Sequence, residues 1–225
     1  APQVTGVFAH ESFGHKSEAD FMIGDDAAME EWTLGKTLGR DFLNIVDHGG
    51  LFGHGFVPYD DEGQPAQETY LIKNGKLSGR LHSASTAAAL GEKHTGNARA
   101  MSFRFEPIVR MTSTYIQPGS STLDELIAGI QDGFFVETCR HGSGMSTFTI
   151  APNLAWRIQD GKVTEPVRIA VLTGSVFETL NEIDGLSDTL GRRFNTLGGC
   201  GKFEQFPLPV SMGGPYMRVA KMNVA

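Results

Sequence analysis

Two imidazoles flank a carboxylate near the start of the chain, in the run Gly6-Val7-Phe8-Ala9-His10-Glu11-Ser12-Phe13-Gly14-His15. Neutral imidazole nitrogen binds a divalent cation such as zinc, and a neighbouring carboxylate can take a proton from water that the cation acidifies. The pattern His-Glu-x-x-x-His thus supplies parts of a hydrolytic zinc centre, with His10 and His15 as ligands and Glu11 as general base. Its spacing is one residue longer than His-Glu-x-x-His, in which four steps of roughly 100° leave the rings about 40° apart on a helical wheel. Five steps leave them about 140° apart on an ideal α-helix, too far to meet at one ion. A bulge or loosened turn is therefore expected near Gly14, whose missing Cβ makes the distortion cheap. The competing reading is two unrelated histidines on an amphipathic helix packed through Val7, Phe8, Phe13 and Phe21.

A second chemical element lies far downstream, in Leu197-Gly198-Gly199-Cys200-Gly201-Lys202. Glycines on both sides let the backbone come close to something bulky, which is unlike a core thiol among aliphatics. As a thiolate, Cys200 is the third zinc ligand and leaves a fourth position open for water or substrate. Cys139, in Glu-Thr-Cys-Arg-His, reads as a small buried residue. His48 and His54, in a glycine-rich loop, are further ligand candidates, with solvated loop histidines as the alternative.

The elements that must position these groups can be read in outline. The 225 residues, 40% hydrophobic, suffice for one domain over residues 1–225 with a sizeable core. Asn74-Gly75 and Asp160-Gly161 mark two tight hairpins with similar flanks, which could form matching halves of one antiparallel structure. Short helices are expected over residues 25–34, 83–90, 121–130 and 175–183, and strands over 104–114, from 134 onward, and over 215–224. Strands and helices neither alternate strictly nor segregate, so the class is α+β with mostly antiparallel sheet.

Composition excludes several functions. A formal charge of −7 and a pI of about 5.5, with no basic run longer than Arg192-Arg193, disfavour direct nucleic-acid binding. No apolar run approaches the roughly 18 residues of a membrane span. Two cysteines in a chain of this size indicate a reducing, cytoplasmic setting and metal chemistry rather than a disulfide framework. The chain begins Ala-Pro, with the chemical motif only a few residues in, as expected of a piece cut from a longer protein.

Several stretches together resemble a known family: His10-Glu11-Ser12-Phe13-Gly14-His15 followed by Glu18-Ala19-Asp20-Phe21, then Tyr59-Asp60-Asp61-Glu62-Gly63, Thr95-Gly96-Asn97, Arg110-Met111-Thr112-Ser113-Thr114-Tyr115 and Gly199-Cys200-Gly201-Lys202. In order and spacing they resemble the TldD branch of the TldD/PmbA (TldE) metalloproteases, also called modulators of DNA gyrase, over that family's C-terminal domain. The resemblance implies a barrel-like, mainly antiparallel β structure carrying the metal-binding helix. It implies a zinc peptidase acting on flexible or unfolded peptides, with His10, His15 and Cys200 as ligands and Glu11 as base. It also implies an N-terminal domain absent from this sequence, and a dimer of two copies or with a TldE/PmbA-like paralogue. His82, Arg99, Arg110 and Tyr115 are candidate oxyanion or substrate-carboxylate contacts, against structural hydrogen-bonding roles for each. Two other functions stay open: a zinc hydrolase of small amides, like peptide deformylases, and a non-catalytic subunit with structural zinc.

Overall fold

The computed structural model of the chain describes residues 1–194 and 199–225. Leu197 and Gly198, part of the glycine frame expected before Cys200, lie outside the described residues.

One continuous helical segment opens the chain and changes its winding twice, from α over Pro2–Val7 to π over Phe8–Gly14 to 3-10 over His15–Ser17. Pro2 suits the first turn, where its missing N–H leaves no bond unmade. The segment ends where Glu18 takes an extended conformation.

Two open sheets grip this helix. One has six strands in the spatial order Gly191–Phe194, Ser211–Gly214, Ser113–Ile116, Ile45–His48, Glu68–Lys73 and Lys76–Leu77. The other builds on the long antiparallel pair Asp132–Gly144 and Thr147–Gln159, with Lys162–Val167, Leu172–Ser175 and Asn223–Val224 added. Among the described strand pairs, Ser211–Gly214 against Ser113–Ile116 is parallel and the others are antiparallel.

The helix approaches both sheets where glycine leaves room. A Cβ on Gly6 would stand 2.7 Å from the Gly213 nitrogen, and a Cβ on Gly214 would strike Thr5. On the opposite side a Cβ on Gly142 would strike Val7, and one on Gly144 would lie 3.1 Å from the Glu11 carbonyl. Fully buried Phe8 meets Phe148 edge-on at 5.1 Å, and fully buried Phe13 meets Trp32 at 4.8 Å. Burying each such side chain contributes about 1.5–3 kcal/mol, enough to hold an unusual helical winding in place.

The α+β class and the short helices are as expected: Asp26–Glu31, Ala84–Leu90, Leu123–Ala128 and Val176–Glu182. Asp25, Ser83 and Thr122 cap three of them through their side chains. Both hairpins form, with Asn74 and Asp160 at positive φ beside Gly75 and Gly161. Four expectations need correction. The run 104–114 is not one strand: it begins in turns and bends, and its strands are Ile108–Val109 and the start of Ser113–Ile116. The strands do not close into a barrel; pairing is divided among separate open sheets, including three of two strands each. The two hairpins are not halves of one structure, since Glu68–Lys73 and Thr147–Gln159 lie in different sheets. The run 215–224 is not one closing strand but two short ones, Met217–Val219 and Asn223–Val224, serving different partners. No helix among the described residues is long and apolar enough to cross a membrane.

Gly6→Ala tests the close approach, because its methyl would collide with sheet backbone that cannot step aside. Overpacking of this kind should lower unfolding stability by about 1–3 kcal/mol in denaturant titration, whereas Gly24→Ala, strained in φ but facing open space, should cost no packing.

Candidate metal centre

The π winding answers the spacing problem posed by His-Glu-x-x-x-His. In a π turn the backbone bonds run between residues five apart, and here the His15 N–H donates to the His10 carbonyl. The two ligand candidates are joined by the bond that defines the turn, so their side chains leave the same side of the helix. Their rings lie 5.2 Å apart between centroids, at 77°. The distortion expected at Gly14 therefore runs through the whole of Phe8–Gly14.

Cys200 arrives on a hairpin of Cys200–Lys202 and Gln205–Leu208. A Cβ on Gly199 would stand 2.5 Å from the Leu208 carbonyl oxygen, so the strand leading into the cysteine needs glycine there. Cys200 Sγ comes to 3.3 Å from His15 Nε2. Donor atoms of His10, His15 and Cys200 all lie within 4.8 Å of one another, bringing together residues from both ends of the sequence.

The chemistry of this set fits a divalent cation, zinc foremost, because imidazole and thiolate are its preferred protein donors. His10 is buried, and neither of its ring nitrogens has a hydrogen-bond partner. Such orphaned atoms are costly unless something else takes their lone pairs. Burial alone would raise the Cys200 thiol, but the fields of His10 and His15 prevail and pull it down to about 5. Burial would likewise disfavour a charged His15, yet its bonds to Cys200 and Glu18 prevail and push it up to about 10. In the metal-free chain, His15 is thus a cation between two anions.

Behind the three donors stands a relay of charge, buried at Glu18 and Lys202 and half-buried at Asp20. His15 Nδ1 meets Glu18 Oε2 at 3.2 Å, leaving Nε2 to face the cysteine. Glu18 in turn meets Lys202 Nζ at 3.1 Å, and Lys202 bonds Asp20 at 2.6 Å and the Val109 carbonyl at 2.8 Å. A carboxylate on the far nitrogen of a ligating imidazole fixes its orientation and raises its basicity. Glu18, Asp20 and Lys202 had no role in the sequence reading beyond their place in quoted motifs. The available signal was Glu18 three residues after His15 and Lys202 two after Cys200, on the same strand.

Glu11 is half-buried and reaches toward the end of Asp132–Gly144, where a Cβ on Gly142 would lie 3.6 Å from its Cγ. Three of the other candidates have side chains that bond elsewhere than to the three donor atoms. His82 is buried against Thr86 and Glu92. Arg99 gives its guanidinium to the Met111 and Pro209 carbonyls, and Arg110, fully buried, to those of Cys200 and Gln205. These three side chains are engaged in holding backbone or a neighbouring carboxylate, the structural alternative weighed for each. Tyr115 sits within Ser113–Ile116, opposite Val46 and Gly213. His48, His54 and Cys139 are not in a donor group with His10, His15 and Cys200. Asp60, Glu62 and His94 form another close set, but their atoms are spent on the chain itself: Asp60 accepts from Glu62, Gln64 and Ala98, Glu62 from Ala84, and His94 Nδ1 from Gly96.

A mixed helix and sheet fold with a His-His-Cys donor set beside a glutamate is the architecture of a metallopeptidase domain. The family model described as the PmbA/TldA metallopeptidase C-terminal domain matches residues 1–225, and the chain belongs to the PmbA/TldD family. It is 43% identical over 225 residues to a metalloprotease of Synechocystis, covering 99% of this chain and 48% of that protein. It is 36% identical over 229 residues to a zinc metalloprotease TldD homolog of Saccharolobus solfataricus, covering 100% of this chain and 50% of that one. The chain therefore spans about half the length of these relatives. Among solved structures it matches TldE from Thermococcus kodakarensis with a TM-score of 0.69 at 20% identity, over 99% of this chain and 48% of that one. A proposed modulator of a DNA gyrase from Thermotoga maritima matches with a TM-score of 0.72 at 20% identity, over 100% and 48%. At that identity, these two likenesses bear on the fold.

Two outcomes follow from the charge arrangement. Glu18→Gln keeps the shape but withdraws the negative partner of His15 and Lys202, and should weaken zinc binding about 10–100-fold in competition with a chromophoric chelator. In the metal-free protein, the depressed Cys200 stabilises fully above its ordinary 9.0 and loses that contribution as pH falls toward about 5. The raised His15 stabilises fully below its ordinary 6.5 and loses its contribution as pH rises toward about 10. Thermal melting should accordingly show a plateau between pH 6.5 and 9.0 that declines on both sides, and Cys200→Ala should remove the decline on the acid side.

Proposed function

We propose that this chain is the C-terminal catalytic domain of a TldD-like zinc peptidase that hydrolyses flexible or unfolded peptides. The observation that carries the reading is the convergence of His10, His15 and Cys200 on one point, with both His10 nitrogens buried and unpartnered. Zinc held by these three would supply Lewis acidity, polarising a scissile carbonyl and acidifying water.

The remaining steps belong to the chain. Glu11, next to His10 on the same π turn, accepts a proton from the attacking water at its carboxylate and returns it to the leaving amine nitrogen. Glu18 keeps the His15 ring oriented through Nδ1, so that Nε2 faces the centre. Cys200 is held as a thiolate, which donates more charge than a carboxylate and makes a softer acid of any metal it holds. Three donors rather than four among the described residues support a site that keeps a position for water or substrate, as a hydrolytic centre needs and a structural one does not.

The same reading extends to the whole protein: a cytoplasmic enzyme, working as a homodimer or beside a TldE/PmbA-like paralogue. Its support is the family membership, the low cysteine content of two in 225 residues and the acidic charge, which also weighs against direct contact with DNA.

Glu11→Ala should abolish cleavage of an unstructured reporter peptide, by at least about 10²–10⁴-fold, while zinc per chain measured by elemental analysis stays at the wild-type value. Cleavage at the wild-type rate would remove Glu11 as the base. Activity on a formylated dipeptide but not on longer peptides would replace the peptidase reading with hydrolysis of small amides.

A further inference from the structure

Three consecutive residues, Val109, Arg110 and Met111, touch both of the pieces that carry the donor set. The Val109 carbonyl accepts from Lys202 Nζ at 2.8 Å. Arg110, fully buried, donates from Nη2 to the Cys200 carbonyl at 2.7 Å and from Nη1 to the Gln205 carbonyl at 3.4 Å. The Met111 thioether fills the place beside the Gly14 backbone where a side chain on that residue would stand, one position before His15. The Met111 carbonyl accepts from Arg99 Nη1 at 2.6 Å, and Arg99 Nη2 donates to the Pro209 carbonyl at 2.8 Å. One short stretch of backbone thus holds the cysteine hairpin at several points and abuts the π-helix at Gly14.

The stretch is itself pinned from behind. Asn97 bridges the Arg110 carbonyl at 3.0 Å and Asp47 Oδ2 at 2.8 Å, while the Arg110 N–H donates to the Asn97 carbonyl at 2.8 Å. Asp47, buried in Ile45–His48, also accepts from the Thr112 N–H and hydroxyl and from the Thr114 hydroxyl. These are the Thr95-Gly96-Asn97 and Arg110-Met111-Thr112-Ser113-Thr114 motifs, which neither donate to a metal nor belong to the proposed proton transfers.

We propose that residues 109–111 are the gauge that sets the separation of Cys200 from the two histidines, with Arg110 and Met111 as positioning residues. Arg110 sets the cysteine through its carbonyl, and Met111 sets His15 through the Gly14 contact. This rests on the reading that the three side chains hold one metal, and goes beyond it by naming what spaces them. Arginine suits the task because its planar fork offers two donors in fixed geometry to two carbonyls of one hairpin, whereas lysine offers a point charge on a flexible stem. A buried guanidinium is costly to desolvate, so it is retained here for the three-dimensional relation it enforces.

The test uses the full protein as wild type, Arg110→Met, Arg110→Lys, Met111→Leu, and Gly24→Ala, where the added methyl faces open space, as a control. Cobalt(II) binding is followed by the thiolate-to-metal charge-transfer band, and alkylation of the metal-free protein by iodoacetamide at pH 7.5 is localised to Cys200 by peptide mass spectrometry. Arg110→Met should lose at least about tenfold in cobalt affinity together with most of the sulfur band, and its Cys200 should alkylate at least about tenfold faster as the hairpin loosens. Arg110→Lys should recover part of both, Met111→Leu should shift the band while keeping the fold, and the control should keep the wild-type band. Wild-type band and alkylation rate in both Arg110→Met and Met111→Leu would overturn the gauge. Should Arg110→Met fail to fold, Met111→Leu decides alone, because a volume-conserving swap is tolerated in cores. A wild-type protein that binds no cobalt would sink the metal reading, while the alkylation rates would still judge whether Arg110 holds the hairpin.

Discussion

The hydrogen bond from the His15 N–H to the His10 carbonyl is the constraint on which the site depends. Had the helix stayed α through Gly14, each bond would have run to the fourth residue back, and the two rings would have pointed to different sides. Widening the turn by one residue aligns them and leaves Glu11 adjacent to the first. A π turn is uncommon because its backbone geometry is less favourable, and it survives where surroundings over-determine it. Here the surroundings are two sheets that approach through Gly213 and Gly214 on one side and Gly142 and Gly144 on the other, with Phe8 and Phe13 buried between. The close approach and the irregular winding are one feature: bulkier residues at those glycines would push the helix away and remove the packing that offsets its strain.

Charge alternation extends the same constraint outward. From Cys200 through His15, Glu18 and Lys202 to Asp20, each buried or half-buried group faces a partner of opposite sign. An isolated buried charge costs several kcal/mol, and only such pairing makes the series tolerable. The series also crosses the chain, since Glu18 and Asp20 follow the helix while Lys202 shares a strand with Cys200. The two halves of the site are consequently attached twice, once at the donors and once behind them, and the Lys202 contact with the Phe21 ring at 4.3 Å adds to the second attachment.

The sequence made the donor set legible because its chemistry is concentrated in short motifs. His-Glu-x-x-x-His puts forward both proposed ligands and the proposed base, and its wrong spacing for an α-helix pointed to a distortion by Gly14, although the wheel argument could not say that the change would be a π-helix running through Phe8–Gly14. The Asn74-Gly75 and Asp160-Gly161 turns were equally plain, because only a few residues tolerate positive φ. What could not be read was which strands pair across long separations: Ser113–Ile116 lies between Ser211–Gly214 and Ile45–His48, and no local pattern encodes that order. The barrel expectation failed for this reason. Alternation fixes which face of a strand is buried and is silent on whether a sheet closes. For Arg99 and Arg110 the sequence left a substrate contact and a structural hydrogen-bonding role both open. An arginine in a motif-rich segment suggests a contact with substrate, and only the structure shows its guanidinium spent on backbone carbonyls two hundred residues into the chain.

The length of that separation has a thermodynamic consequence. Joining residue 15 to residue 200 closes nearly the whole chain into a loop, and loop closure grows only logarithmically with length, so the cost is modest once the sheets have formed. Before they form there is no site, because the helix, the hairpin and the Val109 to Met111 stretch belong to different parts of the fold. Anything that binds the assembled donor set and not the unfolded chain must therefore stabilise the fold as a whole, by an amount set by its concentration relative to its dissociation constant. Affinity for the metal and stability of the domain become one quantity measured in two ways, and substitutions that loosen the hairpin lower both even where they leave every donor atom in place.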